Sequence, residues 1–400
     1  MTTDRDPTAD PPGAGATALR RVALRTALVV FGGLVAAGVA EVGLRWTGLG
    51  QPSLTEVVAG DVLKKRPHAR HWNHKERRNL VELNRFGFHD AEPDLDPCRA
   101  RLVFQGDSFV EGEQVPVAEL LTSEVRRRLD ARPVEVINAA VSGTGTAAQY
   151  SLWRHFVQPQ LDPDLVVLGF YIGNDLENNH AGLGVPSNLE HFVRSDGSVW
   201  IHRVEESALK RAIQPVRAAS ALVNTVYERL YLLKRQLAKS RARTERRSEG
   251  SPPDAAGEPA PVEGAGTPPD AWPDAPAWRE TVDGTVALLR RWRRELAAHG
   301  AEMGVVVIGA ETYFRGGSTG HPYKDRFLDR LVALDAAGEL PVLGLRLEDA
   351  APSSIYFPYR GSFGHFNARG HRLAGAEITA WLEEAFPRIS REPVEKRPGC

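Results

Sequence analysis

Four hundred residues with 42% apolar, 25% charged and 8% aromatic side chains exclude collagen-like, wholly disordered and polytopic membrane chains. Fifty Lys and Arg against 51 Asp and Glu leave a net charge of −1, so no global field draws the chain toward nucleic acid. Two cysteines, Cys98 and Cys400, cannot build a disulfide framework or a zinc site, and nothing in the pattern calls for a cofactor or a metal.

Residues 1–19 are rich in Pro, Asp, Gly and Thr and read as a disordered tail. Arg20, Arg21 and Arg25 then introduce an apolar run, and residues 22–45 reach the length of a membrane-spanning helix, with Glu41 near one end and Trp46 as an interfacial aromatic. A retained anchor is favoured over a signal peptide cleaved behind Gly38-Val39-Ala40. The charges nearest the span place the N-terminus in the cytoplasm, although Lys64, Lys65, Arg66 and further basic residues follow it.

Residues 46–100 read as an irregular connector. His68, His71 and His74 stand three apart in it, but without a nearby fourth ligand they read as part of a solvated basic stretch. From residue 101, short apolar runs at Leu102–Phe104, Val134–Ile137, Leu165–Ile172, Gly304–Ile308 and Val342–Leu347 alternate with helical periodicity. Strands buried on both faces and separated by helices predict an α/β domain, doubly wound around about five parallel strands. That domain occupies 101–189 and 277–388. A helical insertion at 190–247 and a Pro-rich linker at 248–276 interrupt it, and 389–400 form a tail.

The chemistry gathers at predicted strand ends. The first strand closes on Gly106-Asp107-Ser108-Phe109, where the N–H groups opening a helix favour developing negative charge. The second closes on Asn138-Ala139-Ala140-Val141-Ser142-Gly143, whose glycine lets the backbone approach a ligand. The third closes on Gly173-Asn174-Asp175, and His365-Phe366-Asn367 precedes the last helix. Singly, these are an N-cap, a turn glycine, a loop asparagine and a surface histidine. In this order they bring a hydroxyl, two N–H donors, an amide and a base to one sheet edge, which acyl transfer requires.

These four blocks resemble those of the SGNH or GDSL hydrolases: Ser108 in GDSF, Gly143 in NAAVSG, Asn174 in GND and His365 in HFNARGH. The resemblance spans about residues 101–386 apart from 190–276, and is nearest to the membrane-anchored bacterial branch. It implies a flavodoxin-like sheet and ester hydrolysis through an acyl-enzyme. By that resemblance Ser108 is the nucleophile and His365 the general base. The oxyanion hole would be the Ser108 N–H, the Gly143 N–H and the Asn174 amide. Asp107 and Asp175 would be structural, tying strand-end loops to backbone N–H groups, and His371 would cap a helix.

One departure stands out. The family places an aspartate two or three residues before the histidine, where this chain has Phe363 and Ser362. Glu348 and Asp349 are the nearest upstream acids and candidate substitutes; a backbone carbonyl orienting the imidazole is the favoured alternative. Gly316-Gly317-Ser318-Thr319-Gly320 fits a nucleophile-elbow pattern but lacks the strand–turn–helix succession that motif needs, and reads as a loop.

The expectation is a membrane-anchored serine esterase with an extracytoplasmic catalytic domain, acting on O-acylated envelope carbohydrate or lipid. The alternatives are an O-acyltransferase using the same site, a catalytically weak carbohydrate-binding protein of this fold and, for location, a secreted chain. The sequence assigns no oligomeric state.

Overall fold

The structure is a computed structural model that describes residues 14–74, 76–183, 189–203, 207–230, 233, 275–347, 350–359 and 362–388. The expected linker at 248–276, save its last two residues, and the tail at 389–400 lie outside the described residues, as do residues 1–13 of the N-terminal tail. The chain divides into two compact units, one of residues 1–53 and 207–253, the other of residues 54–206 and 254–400.

The larger unit is built on five parallel strands: β1 (Ala100–Gly106), β2 (Val134–Asn138), β3 (Leu165–Tyr171), β4 (Glu302–Ile308) and β5 (Val342–Gly344). Their order is β5-β4-β3-β1-β2, the flavodoxin-like arrangement, in which ligands bind beyond the carboxyl ends of the strands at the β1/β3 switch point. The Val-, Leu- and Phe-rich runs take this form because alternate residues point to opposite faces and both faces are covered.

On one face Val103, Val166, Leu168, Phe170, Val305 and Val307 pack beneath the helices that follow β2, precede β4 and precede β5. Phe170 stacks on Phe327 there, with ring centroids 4.7 Å apart. On the other face Leu102, Phe104, Leu165, Val167, Val306 and Ile308 meet Leu121, Val125, Ala374, Ile378 and Leu382. Each such buried side chain contributes about 1.5–3 kcal/mol by leaving water. Gly106 and Gly169 face each other across β1 and β3, and a Cβ on either would strike Val110. That glycine pair lets the turn after β1 fold down over the strand ends.

Residues 46–100, expected as an irregular connector, contain two antiparallel hairpins, Thr55–Val58 with Val62–Lys65 and Arg70–Asn73 with Asn79–Glu82. Their four-residue strands are too short for alternation to stand out among so many charges. The insertion expected to be helical begins with another hairpin, Leu189–Val193 with Val199–Arg203.

In the smaller unit, α1 (Ala14–Thr47) carries a stretch, Leu19–Thr47, long and apolar enough to cross a membrane. Its apolar side chains are not packed into a core: Leu28, Phe31 and Leu34 are exposed. Length and composition of this kind belong to membrane spans and signal sequences alike. The unit also holds α5 (Ala208–Ala219) and a helical stretch over 221–230. The intervening helices of the larger unit are α2 (Ser108–Glu111), α3 (Leu121–Arg128) and α4 (Thr146–Leu152). They are followed by α6 (Ala275–Ala298), α7 (Pro322–Ala336) and α8 (Ala368–Ala385).

Candidate active site

α2 begins where β1 ends. Asp107, wholly buried, caps it: Oδ1 accepts from the Phe109 N–H at 2.9 Å, satisfying one of the donors a helix start leaves open. Ser108 is thereby set at the first helical position. Its Oγ lies 2.8 Å from His365 Nε2, and 3.4 Å from Asp107 Oδ2.

His365 arrives on β7 (Ser362–Phe366), which pairs with β6 (Tyr356–Tyr359) just before α8. The ring of Phe109 lies beside the imidazole, centroids 4.9 Å apart, and is itself stacked on Tyr171 at 4.1 Å and edge-on to Phe366 at 5.3 Å. The residue following the serine thus wedges the histidine ring in place.

The partner on the other side of the imidazole comes from the first hairpins of the chain. Glu76, between the strands Arg70–Asn73 and Asn79–Glu82, places Oε1 2.7 Å from His365 Nδ1. Its Oε2 accepts from the His365 backbone N–H at 3.0 Å. The Glu76 side chain is 2% exposed, so this is a desolvated, two-point grip on the histidine. Gly364 makes room for it, because a Cβ there would come within 2.7 Å of the Glu76 carboxyl.

The imidazole is thus held by a carboxylate and not by the expected backbone carbonyl; Glu348 and Asp349 lie outside the described residues. One sequence signal could have pointed to Glu76: it is the lone acid between Val62 and Val81, a stretch otherwise dominated by Lys, Arg and His.

The remaining candidates close neighbouring strands. Gly143 follows β2 with φ +76° and open space where a Cβ would stand, so the left-handed turn, not crowding, requires glycine. The preceding Ser142 donates its backbone N–H to Glu111 Oε2 at 2.9 Å and its hydroxyl to the same oxygen. Glu111 ends α2, so the helix bearing Ser108 also holds the Gly143 turn. Lys65 completes this network, 2.5 Å from both Glu111 Oε1 and Glu113 Oε1, and His71 Nε2 meets Glu113 at 2.7 Å. Burial alone would lower the Lys65 ammonium, but the two carboxylates outweigh it and hold its pKa above the usual value. His71 is thus buried and paired, not part of a solvated stretch. Among the described residues, no group of three or more His, Cys, Asp or Glu could hold a metal ion.

Asn174 follows β3, opening the short helix Asp175–Asn178, but its side chain makes no capping bond there. Its Oδ1 is buried without a hydrogen-bond partner among the described residues. Asp175 Oδ2 accepts from the Tyr171 N–H at 3.0 Å and so ties the end of β3. His371 Nδ1 accepts from the Leu121 N–H, capping α3 from α8, and burial pushes its pKa down to about 3, which keeps that nitrogen an acceptor. Ser318, in the elbow-like GGSTG loop, bonds the carboxylate of Asp325 in the first turn of α7.

Burial pushes the Asp107 carboxyl up to about 6, against the pull of the Phe109 N–H and of His365. Asp175, also buried and near Asp107, is raised well above the carboxylate range. Because the folded value of Asp107 lies above 3.8, the fold holds a proton that the unfolded chain has released. Stability conferred by that proton is complete at low pH and lost as pH rises toward about 6. Asp107→Asn keeps the capping oxygen and removes the titration. Denaturant unfolding should therefore show a shallower fall in stability between the two values in the variant. Equal slopes would mean that Asp107 ionises as it does in the unfolded chain.

The model of the GDSL-like lipase/acylhydrolase family matches residues 104–373, from the middle of β1 into α8. The chain belongs to that family. Its class of chemistry is carboxylic ester hydrolysis, and the matched span contains Ser108, Gly143, Asn174 and His365 but not Glu76.

Among solved structures, the chain is similar to the esterase EstA from Pseudoalteromonas sp., at 11% identity and a TM-score of 0.36, over 71% of this chain and 97% of that one. It is similar to the lipase/acylhydrolase from Enterococcus faecalis, at 14% identity and a TM-score of 0.36, over 71% and 96%. A third is the acetyl xylan esterase AlAXEase, at 11% identity and a TM-score of 0.35, over 70% and 98%. The flavodoxin-like fold is given by the strand order itself. No match was found among the curated proteins.

Proposed function

We propose that this GDSL-like hydrolase is a single-pass membrane-anchored serine esterase that deacylates O-acylated envelope carbohydrate or lipid through Ser108, His365 and Glu76. The observation that carries the reading is the unbroken relay from hydroxyl to imidazole to buried carboxylate, at 2.8 and 2.7 Å.

The steps follow from that geometry. Ser108 Oγ attacks the ester carbonyl carbon while its proton passes to His365 Nε2. Glu76, accepting the Nδ1–H, fixes the tautomer that leaves Nε2 basic and offsets the positive charge the ring acquires. The oxyanion is met by the Ser108 N–H, the Gly143 N–H and the Asn174 amide. Collapse breaks the bond to the alcohol oxygen, which takes the proton from Nε2 and departs, leaving Ser108 acylated. Water then attacks the acyl-enzyme, giving its proton to Nε2, and collapse returns that proton to Oγ with release of the acid.

Asn174→Ala removes one donor that acts on the developing charge, so kcat should fall by about 10²–10³ with KM nearly unchanged. An unchanged kcat on short esters takes Asn174 out of the oxyanion hole.

Retention of α1 is favoured because the alternative cleavage point behind Ala40 lies inside a continuous helix that runs on to Thr47. Cells producing the full chain should yield carbonate-washed membranes that hydrolyse p-nitrophenyl acetate. Activity recovered only in solution, on a chain beginning at Glu41, would replace the anchor with a cleaved signal. Acylated polyol in place of free acid, when a polyol is supplied, would make the enzyme a transferase.

A further inference from the structure

Glu41 is the one acid in the apolar part of α1, and the smaller unit gives it a task. Its carboxylate accepts from the N–H groups of Ala221 and Leu222 at 2.9 and 2.8 Å and from the Ser220 hydroxyl at 2.9 Å. A carboxylate on the first turn of a helix meets both open N–H donors and the positive end of the dipole. One turn further along α1, Arg45 donates to the Ala219 carbonyl at 2.5 Å. Beyond the helix end, Ser53 N–H donates to the Arg217 carbonyl and Asn224 to that of Gln51. The C-terminal end of the apolar stretch is therefore bound to the junction between α5 and the helix over 221–230.

Both of these helices are amphipathic, and their apolar rows are uncovered. Leu209, Val216, Val226 and Leu230 are 77, 47, 49 and 61% exposed, at spacings that align them along helix faces. Lys210, Arg211 and Arg229 stand among them. From Ala208 to Leu230 the sequence has four Lys and Arg against Glu228, and seven more against Glu245 follow it up to Arg247.

We infer that α5 and the helix over 221–230 lie in the headgroup layer of the membrane that α1 crosses, with the apolar rows at the acyl boundary and the basic side chains on anionic lipid phosphates. The inference rests on the reading of α1 as a retained span. Three observations select the bilayer as occupant. The helices are tied to the place where an apolar span leaves the hydrocarbon. Apolar residues and a strong basic excess occur together, as in helices that lie on anionic membranes. A second copy would oppose like charges across the contact.

The test uses the full chain, with Cys98 and Cys400 replaced by serine, in vesicles containing phosphatidylglycerol. Single cysteines replacing Phe31, Leu209, Leu230 or Arg229 carry a spin label, and collisions with oxygen and with a water-soluble nickel chelate report depth. Labels at Leu209 and Leu230 should be oxygen-accessible and nickel-protected, shallower than the label at Phe31, while the label at Arg229 meets nickel. In vesicles of phosphatidylcholine alone the protection at Leu209 and Leu230 should fall. Nickel-accessible labels at both leucines beside a deeply buried Phe31 label would overturn the inference and leave the anchor standing. An exposed Phe31 label would overturn both readings. Spin–spin broadening at Leu209 or Leu230 that disappears on lipid dilution would make the face a contact between copies and overturn the lipid assignment.

Discussion

Glu76→Gln should lower kcat for short p-nitrophenyl esters by about 10⁴, the cost of the equivalent carboxylate-to-amide change in a serine protease triad. The variant is nearly isosteric, so the hairpin and the grip on the His365 backbone N–H can persist through the remaining carbonyl oxygen. The amide NH₂, however, faces Nδ1 as a donor. It forces Nδ1 to accept and moves the ring proton to Nε2, the atom that must take the proton from Ser108. Glu76→Asp keeps the charge on a shorter arm and should lose much less. Glu348→Ala and Asp349→Ala should be nearly silent. A Glu76→Gln enzyme within tenfold of the parent, or an alanine variant at 348 or 349 losing a thousandfold or more, would move the acid elsewhere.

Ser108→Ala should have the larger effect, a loss of about 10⁶ in kcat, as when the nucleophile of a serine protease is removed. Among the described residues the hydroxyl bonds His365 and, weakly, Asp107, so the fold should survive: Asp107 caps Phe109 without it. Thermal unfolding should be close to that of the parent. Ser318→Ala, by contrast, removes a bond to Asp325 in a loop and should leave kcat unchanged. The reverse pattern, with activity lost at Ser318 and kept at Ser108, would place the nucleophile in the GGSTG loop.

Ser108 and Glu76 differ in how much of their surroundings the sequence reveals. Ser108, Gly143 and Asn174 were legible because each sits directly behind a strand whose burial on both faces writes an unbroken apolar run. The order of runs and residues then specifies the sheet edge. Glu76 was not legible, since its contact with His365 spans 289 positions and it stands between two four-residue strands whose pattern drowns among charges. Lys65 and His71 belong with it: read as parts of a basic stretch, they are the buried partners of Glu111 and Glu113 beneath the Gly143 turn. A charged residue in a basic run looks solvated unless its partner is known, and the partners of Lys65, His71 and Glu76 lie on distant elements.

The absence of an acid at 362 and 363 was itself informative. A serine–histidine pair whose family carboxylate is missing from its usual place needs another acceptor for the Nδ1 proton. Glycine at 364 leaves the space through which the Glu76 carboxyl reaches both the ring and the backbone of His365.

The most direct measurement of this relay is the rate at which a fluorophosphonate modifies the full-length protein, with the modified residue found by peptide mass spectrometry. Phosphonylation needs nucleophile, base and acid but no knowledge of the natural ester. A single adduct on Ser108 is expected, formed more slowly in Glu76→Gln by about a thousandfold or more. An adduct on another residue, or equal rates in the parent and in Glu76→Gln, would contradict the relay.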